Sequence, residues 1–338
     1  MKEKQYPGAI LDIEYYLPSQ VITNSDLGEK YPEWRVDHVE KKTGVFERRI
    51  AGENETAYDL ALCATKRLLD KHPLLRGKID AIIFCTQSPD YVMPSNAFLL
   101  HRDLGLGNNV LAFDYNLACS GYIYGLLIAS GLIKVGIVRN ILLVTADTYS
   151  KYIADSDRST RMLFGDGASV TWIGEVCDTN PRPIISSFDN FSCASDGSGW
   201  DKFIIKSGAS RMKISSEAQE SLGNKIHMDG LQILNLVNGR VLNQIRELLI
   251  KSEINVEQVD QFLFHQASGL ALDSIAKKMK IPQGKMFTNI KNIGNTVSSS
   301  LPILIKDFFS EKDTPKDSKL FLCGFGVGYS WGSLLVTT

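Results

Sequence analysis

The chain has 338 residues, enough for two lobes or one large layered domain, because a single core rarely grows beyond roughly 250–300 residues. Hydrophobic residues make up 44% and charged residues 22%, so a large core needs no disulfide framework. A net charge of −1 excludes the basic excess of a typical nucleic-acid binder, and nothing points to DNA or RNA.

The opening stretch, MKEKQYPGAILDIEYYLP, lacks the apolar segment of a secretory leader, and no run of 18 apolar residues offers a membrane span. Lys41, Lys42, Arg48 and Arg49 form the one dense basic stretch, which reads equally as a solvated face or as a contact for an anionic ligand. A helical stretch follows from Ala57 to Lys71, then a β-branched and aromatic run from Ile79 that ends in the polar cluster Thr86-Gln87-Ser88. Pro94 to Leu104 reads as helix. VLAFDYNLACSGYIYGLLIASGLI then reads as strand, turn and helix, and ILLVTADTYS with MLFGDGASVTWIG as a hydrophobic hairpin-like pair. SDGSGW (195–200) is a loop by composition, and residues 200–225, without clear period, read as an insertion or surface excursion.

The same order then returns. Gly239 to Lys251 is helical, Val259 to Ser268 repeats the run of 79–88, and Leu270 to Met279 is helical again. MFTNIKNIGNTVSSSLPILIKDFF repeats the strand–turn–helix, and after the loop EKDTPKDS (311–318), KLFLCGFGVGYSWGSLLV repeats the closing hairpin. Helices alternating with buried strands in two successive units predict a pseudo-duplicated, five-layered α/β fold. The halves are placed at 1–178 and 179–338.

The duplication sets Asn116-Leu117-Ala118-Cys119 against Asn292-Ile293-Gly294-Asn295, and places His265 at the end of the second-copy strand. A thiol, an imidazole and an amide are therefore expected in one pocket. Cys119 precedes a helix rich in small residues, where unpaired N–H groups and the helix dipole are expected to lower its pKa. A small buried hydrophobe is the commoner state of a cysteine. His265 can activate a thiol or donate to a developing oxyanion, unless it is a core histidine satisfied by backbone. Asn295 is equally suited to capping a helix. The other histidines, at 38, 72, 101 and 227, read as structural or surface. The glycines at 324, 326, 328 and 332 let a backbone approach a ligand and aim an N–H at it, but they lack the spacing of a dinucleotide fingerprint, so NAD is rejected. The six cysteines form no C-x-x-C pair, which argues against zinc and for free thiols in a reducing cytoplasm.

Assembled, these residues resemble the thiolase superfamily and, within it, the ketoacyl-ACP synthase III group. The landmarks are TGVFERRIA (43–51), PSNA (94–97), NLACSG (116–121), DRSTRMLFGDGA (157–168), HQAS (265–268), GNT (294–296) and GFGVGYSWGS (324–333). The resemblance implies a homodimer that carries its acyl intermediate on Cys119, with CoA or phosphopantetheine thioesters as substrates and no tightly bound cofactor or metal. It implies loading from acyl-CoA or acyl-ACP, then decarboxylative Claisen condensation with malonyl-ACP. Cys119, His265 and Asn295 would be catalytic, with the backbone of Gly326, Val327 and Gly328 at the oxyanion.

By the same resemblance Arg158, Lys42, Met93, Ser268 and Gly230 would meet substrate, and Lys277 and Lys278 the acyl carrier protein. The chain departs from the family pattern in having Lys42 for arginine, His38 for tryptophan, Ser268 for asparagine, Leu270 for arginine, Met93 for the phenylalanine lent across the dimer, and Val327 for glycine. Two alternatives are weighed: acyl transfer without decarboxylation to an alcohol or amine, and a non-catalytic partner subunit.

Overall fold

A computed structural model describes residues 7–177, 180–216 and 222–338. Its strands are β1 (Ala9–Tyr16), β2 (Gln20–Thr23), β3 (Glu47–Ile50), β4 (Ala81–Cys85), β5 (Leu111–Tyr115), β6 (Asn140–Asp147), β7 (Gly167–Gly174), β8 (Ser187–Ser195), β9 (Phe203–Ile204), β10 (His227–Met228), β11 (Gln261–Phe264), β12 (Lys319–Gly326) and β13 (Ser330–Thr337).

Two sheets repeat one plan. The first runs β1-β7-β6-β4-β5 and the second β8-β13-β12-β11. In the first, β1/β7 and β7/β6 are antiparallel while β6/β4 and β4/β5 are parallel. In the second, β8/β13 and β13/β12 are antiparallel and β12/β11 parallel, and a parallel bridge from Phe262 to Met286 stands where β5 stands in the first. The strand expected at the start of MFTNIK is thus reduced to a bridge.

Alternation along the strands explains the layering. In β4, Ile82 and Phe84 face a cluster with Leu60, Ala64 and Leu68 of the helix Ala57–Lys71, which packs on β1, β6 and β7. Ala81 and Ile83 face the other way, toward the helices Gly121–Lys134 and Ser300–Glu311. Those two helices also meet Leu263, Leu322 and Leu334 of the second sheet, so they are sandwiched between the sheets. The far face of that sheet carries Phe262, Phe264 and Phe321 against the helices Leu242–Lys251 and Gly269–Met279. Helix, sheet, helix, sheet, helix: the five layers are present. Strands buried on both faces need apolar residues at nearly every position, which is why their runs read as continuous.

Three details differ from the sequence reading. The helix expected from Gly239 begins at Gly230 and passes through a π-helical turn, Val237–Val241. Residues 200–225 are more than a surface excursion, because β9 pairs with β10 and turns Phe203 and Met228 inward. Arg48 is neither solvated nor free for a ligand; it is 0% exposed and donates to the Ile22 carbonyl, Asn24 Oδ1 and the Met162 carbonyl. The boundary placed at 178/179 lies outside the described residues, as do 217–221 within the excursion and the first six residues of the opening stretch. Among the described residues no helix is long and apolar enough to cross a membrane.

Candidate active site

Cys119 stands in the turn between β5 and the helix Gly121–Lys134. That helix lies close on the sheet because its glycines leave room: a Cβ at Gly121 would fall 2.4 Å from Cys85 Sγ, and one at Gly125 2.5 Å from the Tyr115 hydroxyl. Tyr115 donates to the Gly121 carbonyl at 2.7 Å, tying the end of β5 to the first turn. From the other half, β12 closes on the nucleophile's backbone, with Gly324 and Gly326 facing it.

His265 follows β11 directly. Its backbone N–H donates to the Cys323 carbonyl at 2.8 Å, extending the parallel ladder by one residue, so the ring leaves the sheet at a fixed point. The ring is 1% exposed and meets the edge of Phe325, with centroids 5.6 Å apart. Burial without an acidic partner pushes its pKa down to about 3, so the imidazole is neutral.

Asn295 is set by its neighbour. Gly294 has φ 75°, and a Cβ there would lie 2.9 Å from the Leu163 carbonyl, so only glycine serves. The Asn295 backbone bridges to Phe164, donating to the Leu163 carbonyl and accepting from the Gly165 N–H, both at 3.0 Å. Its Oδ1 accepts the Val297 N–H at 2.9 Å, which leaves Nδ2 toward the cavity. Nδ2 donates to the Ala267 carbonyl at 3.3 Å and lies 3.4 Å from His265 Nε2. The asparagine holds a local turn rather than capping a long helix.

Cys119, His265 and Asn295 line one cavity with an empty volume of about 710 Å³. Gly326, Val327, Gly230 and Ser268 line it as well. Ser268 Oγ also accepts the Ala271 N–H, capping the helix Gly269–Met279. Lys42, Met93, Arg158, Lys277, Lys278 and Gly328 are exposed and lie outside the lining.

The remaining wall is apolar. Phe164, Phe203, Met228, Ile233, Leu234 and Val237 contribute to it, and the sequence reading named none of them. None of them is itself a polar group that sequence reasoning would single out. The π-helical turn at Val237 was the one hint, and it needs coordinates to be seen.

The thiol differs from expectation. Cys119 is 6% exposed, and burial, aided by the nearby Asp147 carboxylate, pushes its pKa well above the usual thiol value. The helix N-terminus does not overcome this, so burial favours the thiol over the thiolate. Asp147 itself accepts from the Gln87 N–H and the Ser298 hydroxyl, and burial pushes it up to about 7.

The chain as a whole is similar to known proteins. The model described as 3-oxoacyl-[acyl-carrier-protein (ACP)] synthase III matches residues 113–197, and that of its C-terminal part matches 249–338. The beta-ketoacyl-[acyl-carrier-protein] synthase III of Chlamydia caviae is 33% identical over 321 residues, covering 95% of this chain and 94% of that protein. Its counterpart in Clostridioides difficile is 32% identical over 327 residues, covering 97% of each. Among solved structures, a 3-oxoacyl-(acyl-carrier-protein) synthase III superposes with a TM-score of 0.91 at 39% identity, covering 98% of this chain and all of that one. One from Burkholderia xenovorans LB400 gives 0.88 at 33% identity, covering 99% and 95%.

Proposed function

Because this chain belongs to the 3-oxoacyl-[acyl-carrier-protein] synthase III family of the thiolase superfamily, and is a condensing enzyme of that type, we propose a division of labour among its residues. Cys119 Sγ attacks the carbonyl carbon of an acyl-CoA or acyl-carrier thioester. The C–S bond to the donor breaks, and the thiol proton leaves with the departing sulfur. Backbone N–H groups of Cys119 and of the loop at Gly326 and Val327 hold the oxyanion.

Malonyl-ACP then enters the same cavity. Its carboxylate departs as carbon dioxide, and the electron pair becomes an enolate whose oxygen receives the N–H groups of His265 and Asn295. The enolate carbon attacks the acyl carbonyl, and Cys119 leaves as thiolate and regains a proton from solvent. The observation that carries this reading is the pair of side-chain nitrogens, His265 Nε2 and Asn295 Nδ2, 3.4 Å apart on the wall that also holds Cys119. Two N–H groups at that spacing suit one oxygen, and neither bears a charge that would hold the carboxylate in place. Transfer to an alcohol or amine without decarboxylation has no use for the amide, and a scaffold has no use for a cavity that reaches the sulfur.

The apolar wall suits a pantetheine arm and an alkyl chain, with no resident cofactor. Lys277 and Lys278, exposed at the end of the helix Gly269–Met279, meet the carrier protein, and Lys42 and Arg158 meet the nucleotide end of CoA. A homodimer is supported by the edge position of β5 and by two apolar side chains, Val92 and Met93, 94% and 80% exposed. Met93 would then reach the partner's acyl site. A cytoplasmic location fits the free thiols of Cys63, Cys85, Cys119, Cys193 and Cys323. The halves 1–178 and 179–338 are each one unit of the duplication, the first lending the nucleophile and the second the imidazole and amide.

Intact-mass spectrometry after incubation with a panel of acyl-CoA and acyl-carrier donors tests the first step. An acyl adduct on Cys119 is expected; a protein that no donor charges would refute it.

A further inference from the structure

Three consecutive serines, 298–300, open the helix after Asn295, and each is buried with a different partner. Ser298 donates to Asp147 and Ser299 to the Thr145 and Gly167 carbonyls. Ser300 Oγ lies 2.7 Å from His265 Nδ1 and accepts the Gln266 N–H at 2.9 Å. Among the described residues it has no other hydrogen-bond partner.

We propose that Ser300 is the positioning residue that sets the tautomer of His265: its hydroxyl donates to Nδ1, so the ring proton sits on Nε2 and points into the cavity. The argument is a count of hydrogens. The hydroxyl has one proton to give and already accepts from Gln266. If Nδ1 carried the ring proton and donated to Ser300, the oxygen would accept twice. Its own hydrogen would then be buried with nothing to meet. With the proton on Nε2, every group around Ser300 is satisfied.

The opposite tautomer would also need Asn295 Nδ2 to donate to Nε2. At 3.4 Å that contact is long for a hydrogen bond between nitrogens. Two donors aimed past one another at a shared point fit the distance better. The same count disfavours a charged ring, because imidazolium would turn Nδ1 into a donor and leave the hydroxyl hydrogen buried without an acceptor.

This inference rests on the reading of His265 as a neutral donor to the enolate, and its test separates the two. Protein labelled with 15N-histidine, with His265 assigned by its loss in His265→Asn, should show Nε2 protonated and Nδ1 bare near neutral pH. The wild-type spectrum decides even if no variant folds: a proton on Nδ1 overturns the proposal. In Ser300→Ala, Nδ1 should become protonated in part of the population. Malonyl decarboxylation should fall about tenfold or more, while charging of Cys119 stays near wild type and Ser300→Thr restores both readouts. A folded Ser300→Ala with an unchanged spectrum also overturns it. Wild-type protein that never releases carbon dioxide would instead refute the condensing role of His265, with the tautomer still readable.

Discussion

No side chain fits between Gly324 and Cys119: a Cβ on the glycine would lie 2.7 Å from the Cys119 carbonyl oxygen and 3.2 Å from Ser120 Cα. Both obstacles are backbone, so neither can rotate away. Gly324→Ala must push the nucleophile's turn off the second sheet. It is expected to cost about 1–3 kcal/mol of stability, the usual range for overpacking, and to slow acylation of Cys119 more than it lowers the melting temperature would imply. Thermal unfolding beside time-resolved intact mass checks this; an alanine variant that charges at the wild-type rate would mean that the turn is not held from this side.

Asn295→Ala removes one of two N–H groups from the proposed enolate site and leaves the Val297 N–H without its partner. Loss of one such donor typically lowers the rate by about 10²–10³. Carbon dioxide release from malonyl-ACP should fall on that scale in protein already acylated on Cys119. Asn295→Asp should be at least as poor, because a carboxylate would face a developing negative charge. Equal release by all three proteins would remove the amide from the reaction.

The layered fold was legible because of what burial on two faces demands of a strand. Ile82 and Phe84 serve one layer and Ala81 and Ile83 another, so the run has to be apolar throughout, and the same constraint returns at Phe262 to Phe264. That Cys119, His265 and Asn295 share one cavity was legible because polar groups at the ends of such runs interrupt a strong pattern. Ser300 was not, since which of three adjacent serines meets the imidazole depends on where the helix Ser300–Glu311 begins. Phe203 was hidden in a stretch without period, and Met228 lies just beyond it. The state of the Cys119 thiol depends on burial by β12, more than 200 residues away, and no local reading of the helix start contains that.

The wall opposite the polar groups should govern which thioesters enter. Leu234 lines the cavity and is only partly buried, so a larger side chain there can grow into the empty space without disturbing the core. Leu234→Trp is expected to raise KM for thioester substrates about tenfold with little change in kcat, the signature of lost uniform binding. Leu234→Ala should broaden the donor range. Steady-state kinetics over a series of acyl chain lengths checks both; an unchanged chain-length profile in the tryptophan variant would show that substrate does not pass this wall.

The neutral imidazole has a consequence for stability in acid. Burial holds the His265 pKa near 3, against 6.5 for a free side chain. Between those values the unfolded chain binds a proton that the folded chain refuses, so the unfolded state is favoured as pH falls. Above pH 6.5 both states are neutral and the histidine costs nothing. Below it, the penalty grows at about 1.4 kcal/mol per pH unit until the folded ring itself titrates. His265→Asn cannot titrate, so its melting temperature relative to wild type should rise steadily from pH 7 to pH 5. Decarboxylation by wild type should show no loss assignable to this ring over the same range, because the folded imidazole stays neutral throughout. Parallel melting curves for the two proteins from pH 7 to pH 5 would mean that the folded ring binds its proton as readily as the unfolded one, so that burial does not hold it neutral in acid.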